Sequence, residues 1–311
     1  MKLSIVTTLY NSAAYIHEFY NKITNVANSF AGDDYELIFV DDGSPDDSGK
    51  IVKSLIENDN HVVLIELSRN FGHHSAALAG VMYSSGEYVF YLDCDLEDDP
   101  QWLFKYYEEM KLSDADIVFG SRNKRQGTLL KRMTGEVFYK FFNTFSDIKI
   151  VPNIASAILA KRSFVHAMKN IKEKNLFMPA NLAWLGFKTS CVNNLERLPR
   201  NTKSNYTLFK MLNLAINAIT SFTSYPLQII FLLGLIISIT FGTLGAYMLI
   251  KKILFPYKVF FGYASLIVSI WFLGGIIILF IGIIGIYLAK IFTEVKDRPQ
   301  YVIREVYKKN K

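Results

Sequence analysis

The first 210 residues alternate short apolar runs with segments of helical periodicity. Runs of four to eight residues rich in β-branched and aromatic side chains predict buried strands. These runs are Leu3–Leu9, Tyr35–Val40, Val62–Leu67, Tyr88–Leu92, Ile117–Arg122 (with its loop) and Asn153–Ala160. The segments with one apolar face, which predict helices, are Ala13–Phe30, Ser48–Glu57, Ser75–Ser84, Trp102–Lys111, Gln126–Asn143 and Ser163–Ile171. This rhythm predicts an α/β fold, a Rossmann-like, mostly parallel sheet with helices on both faces.

Two long stretches near the C-terminal end contain no charged residue, Met211–Ile250 and Val259–Ala289. Both exceed the ~20 residues that span a bilayer core. Soluble helices of this length are seldom apolar all round. We therefore predict two transmembrane helices, near Pro226–Ile250 and Tyr263–Ala289. The amphipathic segment Thr207–Phe222 is expected to lie in the membrane interface or, alternatively, to pack on the soluble domain.

These patterns divide the chain into an α/β domain (1–205), a juxtamembrane helix (206–225), a transmembrane hairpin (226–290) and a basic tail (291–311). No long apolar segment follows Met1, so we expect the α/β domain and, after two spans, the tail on the cytoplasmic side. The segment from Lys290 to the end of the tail carries +4 of the net charge of +6, which fits the positive-inside tendency and anionic headgroups. Lys251, Lys252 and Lys258 in the connecting loop oppose this orientation.

Charge and cysteine content exclude two other classes. Because the positive charge is mostly close to the predicted membrane, we interpret it as lipid contact rather than nucleic-acid binding. The two cysteines, Cys94 and Cys191, provide neither a disulfide framework nor a zinc-site spacing, which fits a reducing compartment.

Each of the first four predicted strands ends in a polar cluster. The clusters are Tyr10–Ser12, Asp41–Ser44, Arg69–His74 and Asp93–Asp99. Ligands of open parallel sheets bind outside the carboxyl ends of the strands. We therefore expect these clusters to converge, although they are spread over ninety residues.

The last cluster is the most acidic. Carboxylates crowded this closely repel one another unless a cation lies between them, and oxygen ligands suit Mg²⁺ or Mn²⁺. A divalent ion that holds a substrate diphosphate is the predicted occupant. The alternative is a surface turn closed by Asp98, Asp99 and Pro100, since an isolated Asp-x-Asp also occurs by chance.

Taken in order, the motifs resemble those of family 2 (GT-A) glycosyltransferases of the polyprenyl-phosphate group. That group includes dolichol-phosphate mannose synthases and bacterial bactoprenol glucosyltransferases. The matching segments are Leu9–Asn11, Val40–Ser44, Arg69–His73, Asp93–Pro100, Gly120–Arg122, Trp184–Phe187 and Lys203–Tyr206. The resemblance covers essentially the whole chain, and the two C-terminal apolar stretches match the bacterial branch.

The resemblance implies inverting transfer of a sugar from a nucleotide-diphosphate sugar, expected to be a UDP-sugar, to polyprenyl (undecaprenyl) phosphate. The expected place is the cytoplasmic face of a bacterial inner membrane, with Mg²⁺ or Mn²⁺ as cofactor and a cell-envelope glycan as the later destination. A homo-oligomer, a tetramer, is also implied. Neither the sugar nor the nucleotide is fixed by the motifs.

The resemblance and the strand-end positions give the candidate site residues. Those for the nucleotide are Leu9, Tyr10, Asn11, Asp41, Asp42, Ser44, Arg69 and Cys94. Those for the metal are Asp93, Asp95 and Glu97, and those for catalysis are Asp93, Asp95 and Arg122. Those for the acceptor phosphate are Arg200, Lys203 and Lys210, because guanidinium and ammonium groups pair well with phosphate.

Several of these residues have alternative structural roles. Asp41 and Asp42 are also suited to helix capping and turn formation. The basic residues are also suited to a solvated face beside anionic lipid. Trp184 is expected either to stack on the sugar or to pack in a core.

The chain departs from the family pattern at six places. The basic residue expected upstream of Lys203 is offset, so Arg197 or Arg200 is expected to take its role. Thr8 and Ser12 replace the usual Pro and Glu, Glu97 replaces Gln, and Thr202 replaces Gly. Many members have Phe-Arg-Leu-Leu-Asp where this chain has Ser156–Ala160, so the roles of that Arg and Asp are not transferred.

The missing aspartate, at Ala160, bears on the acceptor. A phosphate monoester has a second pKa near ~6, so its oxygen is already ionised at neutral pH. An alcohol acceptor needs a general base far more. We take the absence as support for a lipid phosphate, and we expect His73 and His74 to be structural hydrogen bonders.

Two other functions were weighed against this one. Processive polysaccharide synthases usually carry Gln-x-x-Arg-Trp, but none of the three tryptophans here follows an arginine. A non-catalytic membrane scaffold with a degenerate nucleotide-binding domain is favoured only by the departures above.

Overall fold

The structure is a computed structural model and describes residues 1–121, 144, 154–169, 184–193, 195, 220, 223–254 and 263–309. The chain forms two compact units. The first comprises Met1–Asn143, Ile148–Tyr206 and Arg298–Lys311, and the second comprises Thr144–Asp147 and Thr207–Asp297. The predicted helices Gln126–Asn143 and Thr207–Phe222 lie outside the described residues, apart from Thr220.

The described part of the first unit alternates strands with helices. The strands are β1 (Leu3–Leu9), β2 (Tyr35–Asp41), β3 (Val62–Leu67), β4 (Tyr88–Tyr91), β5 (Ile117–Ser121), β6 (Ile154–Lys161), β7 (Thr189–Val192) and β8 (Ile303–Lys308). The helices are α1 (Ile16–Ala31), α2 (Ser48–Asn58), α3 (His73–Tyr83), α4 (Trp102–Ser113) and α5 (Arg162–Met168). Sequence analysis assigned no strand to the segments that form β7 and β8.

These strands form one sheet in the order β7-β5-β6-β4-β1-β2-β3-β8. The centre, β4-β1-β2-β3, is parallel, and β5 pairs parallel with β7. The β6 strand is antiparallel to both β4 and β5, and β8 is antiparallel to β3. The predicted α/β class with a mostly parallel sheet is confirmed. The parallel centre brings the carboxyl ends of four strands to one edge.

Helices cover both faces of the sheet. On one face α1, α2 and α4 bury an aromatic-rich core, in which Phe19 packs edge-on against Phe39 with ring centroids 5.9 Å apart. On the other face α3 covers Val6, Ile38 and Val40, and α5 packs against β6. Alternating side chains of β1 point to the two faces, as the two-residue period of a strand requires.

Helix α3 approaches the sheet closely because of Gly80. A Cβ atom built on this residue would collide with the side chains of Val6 and Val40. The glycine therefore lets the helix axis lie nearer to β1 and β2 than a larger residue would allow. This approach carries the first residue of α3, His73, to the end of β1.

The edge strand β8 comes from the segment that sequence analysis described as a basic tail. Arg304 donates to the Ser68 carbonyl oxygen (2.9 Å), and Lys309 donates to that of Glu57 (2.9 Å). Part of the charge that sequence analysis assigned to lipid thus contacts the first unit. The sequence of β8 mixes charged and apolar residues. This pattern is typical of an edge strand, where unpaired backbone groups face solvent.

The second unit contains two long apolar helices, α6 (Tyr225–Leu254) and α7 (Tyr263–Val295). The Tyr287 hydroxyl of α7 donates a hydrogen bond to the carbonyl oxygen of Thr223, which lies just before α6 (2.9 Å). Within the described residues, one segment, Ser269–Val295, is long and apolar enough to cross a membrane, with a mean hydropathy of 2.6. The apolar part of α6, Tyr225–Phe241, is shorter, so the second span stays a prediction.

Replacing Thr7 by valine is expected to stabilise the protein by about 1 kcal/mol. The buried Thr7 hydroxyl has no hydrogen-bond partner among the described residues, and valine has nearly the same shape. Ser4→Ala is the contrasting variant, because the Ser4 hydroxyl donates to Glu36 (2.6 Å) and accepts from the Gly86 N–H (2.7 Å). Thermal unfolding of the full chain in detergent should rank Thr7→Val above wild type and Ser4→Ala below it. A lower Tm for Thr7→Val would contradict this account of β1.

Candidate active site

The loops after β1 and β2 are joined by hydrogen bonds. The Asn11 N–H donates to the Ser44 hydroxyl (2.8 Å), and the Asp42 N–H donates to the Leu9 carbonyl oxygen (3.0 Å). Asn11 adopts a left-handed conformation (φ 54°), which asparagine tolerates better than most residues. Two of the four polar clusters therefore form one continuous edge.

Asp42 connects the end of β2 to the loop after β3. Its two carboxylate oxygens accept the N–H groups of Phe71 (2.7 Å) and Gly72 (2.9 Å), and its side chain is 2% exposed. Burial raises the pKa of Asp42, although these two hydrogen bonds act to lower it. The geometry matches the turn-forming role that sequence analysis gave as the alternative for this residue.

Gly43 makes this connection sterically possible. It has a φ of 64°, and a Cβ atom here would lie 2.8 Å from the backbone of Arg69 and Asn70. A backbone neighbour cannot move aside, so a side chain at this position would separate the two loops. The glycine of the Asp-Asp-Gly-Ser motif is thus explained by the close approach of β2 and β3 ends.

Asp41 and Asp46 lie in the same loop but have opposite pKa shifts. Burial raises the pKa of Asp41 to about 6, although the hydrogen bond from the Ser44 N–H acts against this. For Asp46, burial acts to raise the pKa, but hydrogen bonds from Ser44, Ser48 and the Ala13 N–H lower it to about 2. Sequence analysis missed Asp46. The signal was its spacing of two residues from Ser44 and Ser48, which is typical of a local turn.

The acidic loop after β4 alternates between half-buried and buried side chains. Asp93, Asp95 and Glu97 are half-buried, whereas the intervening residues and Asp98 are buried. Leu96 has a left-handed φ of 56°, which is unusual for a bulky residue, and the Glu97 N–H donates to Asp95 (3.0 Å). The three candidate metal ligands thus remain partly accessible to solvent.

Asp98 fastens the loop to the sheet. Its Oδ2 atom accepts the N–H groups of Ser156 (3.0 Å) and Ala157 (3.1 Å) of β6, and the residue is 1% exposed. The fourth acidic position of the motif therefore has a structural role that is different from that of the first three.

The loop fits a divalent ion that is held partly by substrate. No group of three or more His, Cys, Asp or Glu side chains in the described residues forms a ready metal site. Mg²⁺ usually binds through one or two carboxylates together with waters and substrate phosphates, so it does not need such a group. Asp93, Asp95 and Glu97 supply the oxygen ligands that this ion prefers. Their role as metal ligands stays a prediction.

The remaining nucleotide candidates fall into two kinds. The side chains of Leu9 and Cys94 are packed in the hydrophobic core, so only their backbone atoms can reach a ligand. Tyr10 is 51% exposed, and the exposed Arg69 lies over the Phe71 ring at 4.6 Å from its centroid. An exposed tyrosine such as Tyr10 is suited to contact a nucleobase, and the guanidinium group of Arg69 is suited to bind phosphates.

Other predicted residues lie elsewhere. Arg122, Arg200, Lys203 and Lys210 lie outside the described residues. Trp184 is 60% exposed, which does not fit core packing. His73 hydrogen-bonds to Thr8 and Tyr91, as expected of a structural histidine.

The strand register corrects the argument based on Ala160. Ala160 pairs with Val89, at the amino end of β4, whereas Tyr91 near the acidic loop pairs with Ile158. An aspartate at position 160 would therefore lie at the wrong end of this strand to act beside Asp93. Its absence carries no information about the acceptor.

The sequence itself matches a known family. The family description "Glycosyl transferase family 2" matches residues 4–168, which include β1–β6 and the acidic loop. The chain belongs to this family of glycosyltransferases.

Relatives extend the match to the whole chain. A protein of Escherichia coli K12 named prophage bactoprenol glucosyl transferase homolog is 37% identical over 311 residues, which cover 99% of this chain and all of the relative. The bactoprenol glucosyl transferase of Shigella phage SfII is 35% identical over 311 residues and is covered completely on both sides. The similarity therefore includes the two long helices and β8.

Solved structures agree with the fold. Glucosyl-3-phosphoglycerate synthase from Mycobacterium tuberculosis superposes with a TM-score of 0.50 at 16% identity, over 70% of this chain and 78% of that one. This likeness supports a GT-A-like architecture and nothing finer.

Replacing Asp42 by asparagine is expected to destabilise the protein by about 2 kcal/mol, because the amide NH₂ would face one of the two N–H donors. Asp41→Asn is the matched control, since an amide oxygen can still accept the Ser44 N–H (2.8 Å). Denaturant unfolding of both variants in detergent checks this. Equal stabilities would show that Asp42 does not brace the loops.

Proposed function

We propose that this protein transfers a sugar, with inversion, from a nucleotide-diphosphate sugar to a polyprenyl phosphate such as undecaprenyl phosphate. The donor is expected to be a UDP-sugar. An oxygen of the acceptor phosphate forms a bond to the anomeric carbon as the bond from that carbon to the nucleotide diphosphate breaks. The lipid-linked sugar then serves modification of a cell-envelope glycan.

The observation that carries the proposal is the acidic loop at the carboxyl edge of the parallel strands. Half-buried Asp93, Asp95 and Glu97 are held there by the turn at Leu96 and by the anchor of Asp98 to β6. Carboxylates fixed at a sheet edge suit a diphosphate only when a divalent cation lies between the two.

Names of full-length relatives support the acceptor. Two relatives that align along all of their length are named for transfer of glucose to bactoprenol. Family membership alone fixes only the reaction class, so the acceptor rests on this similarity. Glucose is the first sugar to test, since the names of these relatives specify it.

Each part of the edge has a proposed task. Asp41 and the Tyr10–Asn11 segment hold the nucleoside, and Arg69 pairs with the diphosphate. Asp93, Asp95 and Glu97 hold Mg²⁺ or Mn²⁺, which when bound neutralises the charge of the leaving group. Arg122, Arg200, Lys203 and Lys210 are proposed to attract the acceptor phosphate.

The proposed site of action is the cytoplasmic face of a bacterial inner membrane. The apolar segment Ser269–Val295 is long enough to span a bilayer, and α6 is proposed as the second span. Two spans would return the chain to the side of the membrane on which it started. The pairing of β8 with β3 supports this topology, since β8 follows α7 in the chain and belongs to the first unit.

Two further possibilities remain as alternatives. A different membrane acceptor would leave the donor site unchanged. A scaffold without catalysis would bind a nucleotide but give no product. The experiment below separates them.

Purified full-length protein in detergent, supplied with undecaprenyl phosphate and a panel of UDP-, GDP- and dTDP-sugars, is expected to form a lipid-phosphate-sugar from one donor. Mass spectrometry detects the product, with Mg²⁺ or Mn²⁺ and with EDTA. We expect a metal-dependent product. Nucleotide binding without product from any donor would favour another acceptor or a scaffold.

Asp95→Asn is expected to reduce this transfer by at least about 100-fold, because it removes a charge from the proposed metal site. The matched control is Asp99→Asn in the same loop, where an amide oxygen can still accept the Gln101 N–H (2.9 Å). Transfer by Asp95→Asn at the wild-type rate would refute the metal assignment.

The affinity for UDP is expected to fall about tenfold between pH 7 and pH 5, because Asp41, with a pKa of about 6, becomes protonated and can no longer accept two hydrogen bonds from a nucleoside. UDP itself titrates near ~6. Asp41→Asn is the control for this titration of UDP. In this variant, the pH dependence of the affinity that comes from Asp41 is removed and the part that comes from UDP remains. Calorimetric titrations at several pH values should give a steeper profile for wild type. Parallel profiles would exclude Asp41 as a nucleotide ligand.

A further inference from the structure

A chain of four polar side chains runs across one face of the sheet to the acidic loop. Thr8 Oγ1 lies 3.2 Å from His73 Nδ1, and His73 Nε2 lies 3.1 Å from the Tyr91 hydroxyl. The Tyr91 hydroxyl donates to Asp93 Oδ1 (2.8 Å). Sequence analysis did not connect these residues, which lie on β1, at the start of α3 and around the end of β4.

One arrangement of protons satisfies the whole chain. The Thr8 hydroxyl donates to His73 Nδ1, His73 Nε2–H donates to the Tyr91 oxygen, and the Tyr91 hydroxyl donates to Asp93. His73 Nε2 also lies 3.5 Å from Asp93 Oδ1. Every donor in this order points toward the carboxylate, so the last hydrogen bond is charge-assisted and strengthened by its neighbours.

Tyr91 is well suited to fix a carboxylate. Its side chain is buried, and its hydroxyl donates to Asp93 Oδ1 over 2.8 Å. A buried ring on a strand has little freedom, so the oxygen that it binds has little freedom as well.

We propose that Tyr91, supported by His73 and Thr8, is a positioning residue that binds Asp93 Oδ1 and so directs Asp93 Oδ2 toward the divalent metal. This inference rests on the proposed function and deepens it. Thr8 supplies the first donor of the chain. Hydrogen-bond partners of metal ligands typically contribute 10- to 100-fold to metal affinity or activity.

The test measures Mn²⁺ binding to the full-length protein by electron paramagnetic resonance in the presence of UDP, which needs no acceptor lipid. We expect Tyr91→Phe to bind Mn²⁺ about tenfold more weakly and to show a similar loss in kcat. The KM for the donor should change less. Tyr88→Phe is the matched control, since it makes the same change at the other end of β4.

The pair Thr8→Val and Thr8→Ser tests Thr8, whose Oγ1 atom also lies 3.4 Å from the Tyr91 hydroxyl, and it covers the case that Tyr91→Phe does not fold. Thr8→Val should weaken Mn²⁺ binding by less than Tyr91→Phe does, and Thr8→Ser, which keeps the hydroxyl, should restore it. A purely structural role would lower the Tm of Tyr91→Phe without changing Mn²⁺ affinity.

Three results would overturn the inference. The first is equal Mn²⁺ affinity in wild type, Tyr91→Phe and Tyr88→Phe. The second is equal affinity in the two Thr8 variants. The third is an absence of Mn²⁺ binding to wild type with UDP, which would also remove the metal from the proposed function. In the first two results the proposed function stands and only the positioning role fails.

Discussion

Hydrogen bonds between carboxylates and backbone N–H groups join the loops that form the candidate site. Four parallel strands end there, and each leaves backbone donors that a sheet can no longer satisfy. Asp42, Asp46 and Asp98 accept most of the donors that join one loop to the next. Because these carboxylates accept hydrogen bonds from the backbone of neighbouring loops, they connect the loops without a bound ligand.

This division of labour separates two kinds of acidic residue in a crowded edge. The braces are buried or accept several hydrogen bonds, and the proposed ligands Asp93, Asp95 and Glu97 remain half-buried. A site that is fixed in advance loses less entropy when it binds, and it can direct charge at a developing leaving group. The strained backbone at Leu96 is one cost of holding the ligands in this way.

The edge strand β8 shows that the sheet is not completed by consecutive segments of the chain. The strand follows the long apolar helix α7 in the sequence, yet it pairs antiparallel with β3. The Arg304 side chain adds a hydrogen bond to the Ser68 carbonyl oxygen (2.9 Å), which strengthens this pairing at the edge.

Local patterning determined much of this protein. The two-residue and 3.6-residue periods predicted β1 to β6 and most helices, and the polar ends of four successive strands predicted that these clusters lie at one edge, because parallel strands share one carboxyl edge. The weakly patterned strands β7 and β8 were missed, since short or charged edge strands lack the apolar signal of buried ones.

Only the tertiary structure decided which residues do what at that edge. Asp42 and Asp93 look alike in the sequence, yet one accepts N–H groups of another loop and the other accepts a tyrosine hydroxyl from its own strand. The register of β6 removed Ala160 from the argument about the acceptor. The role of Asp42 and the register of β6 depend on contacts between residues that are distant in the sequence, and no local period encodes such contacts.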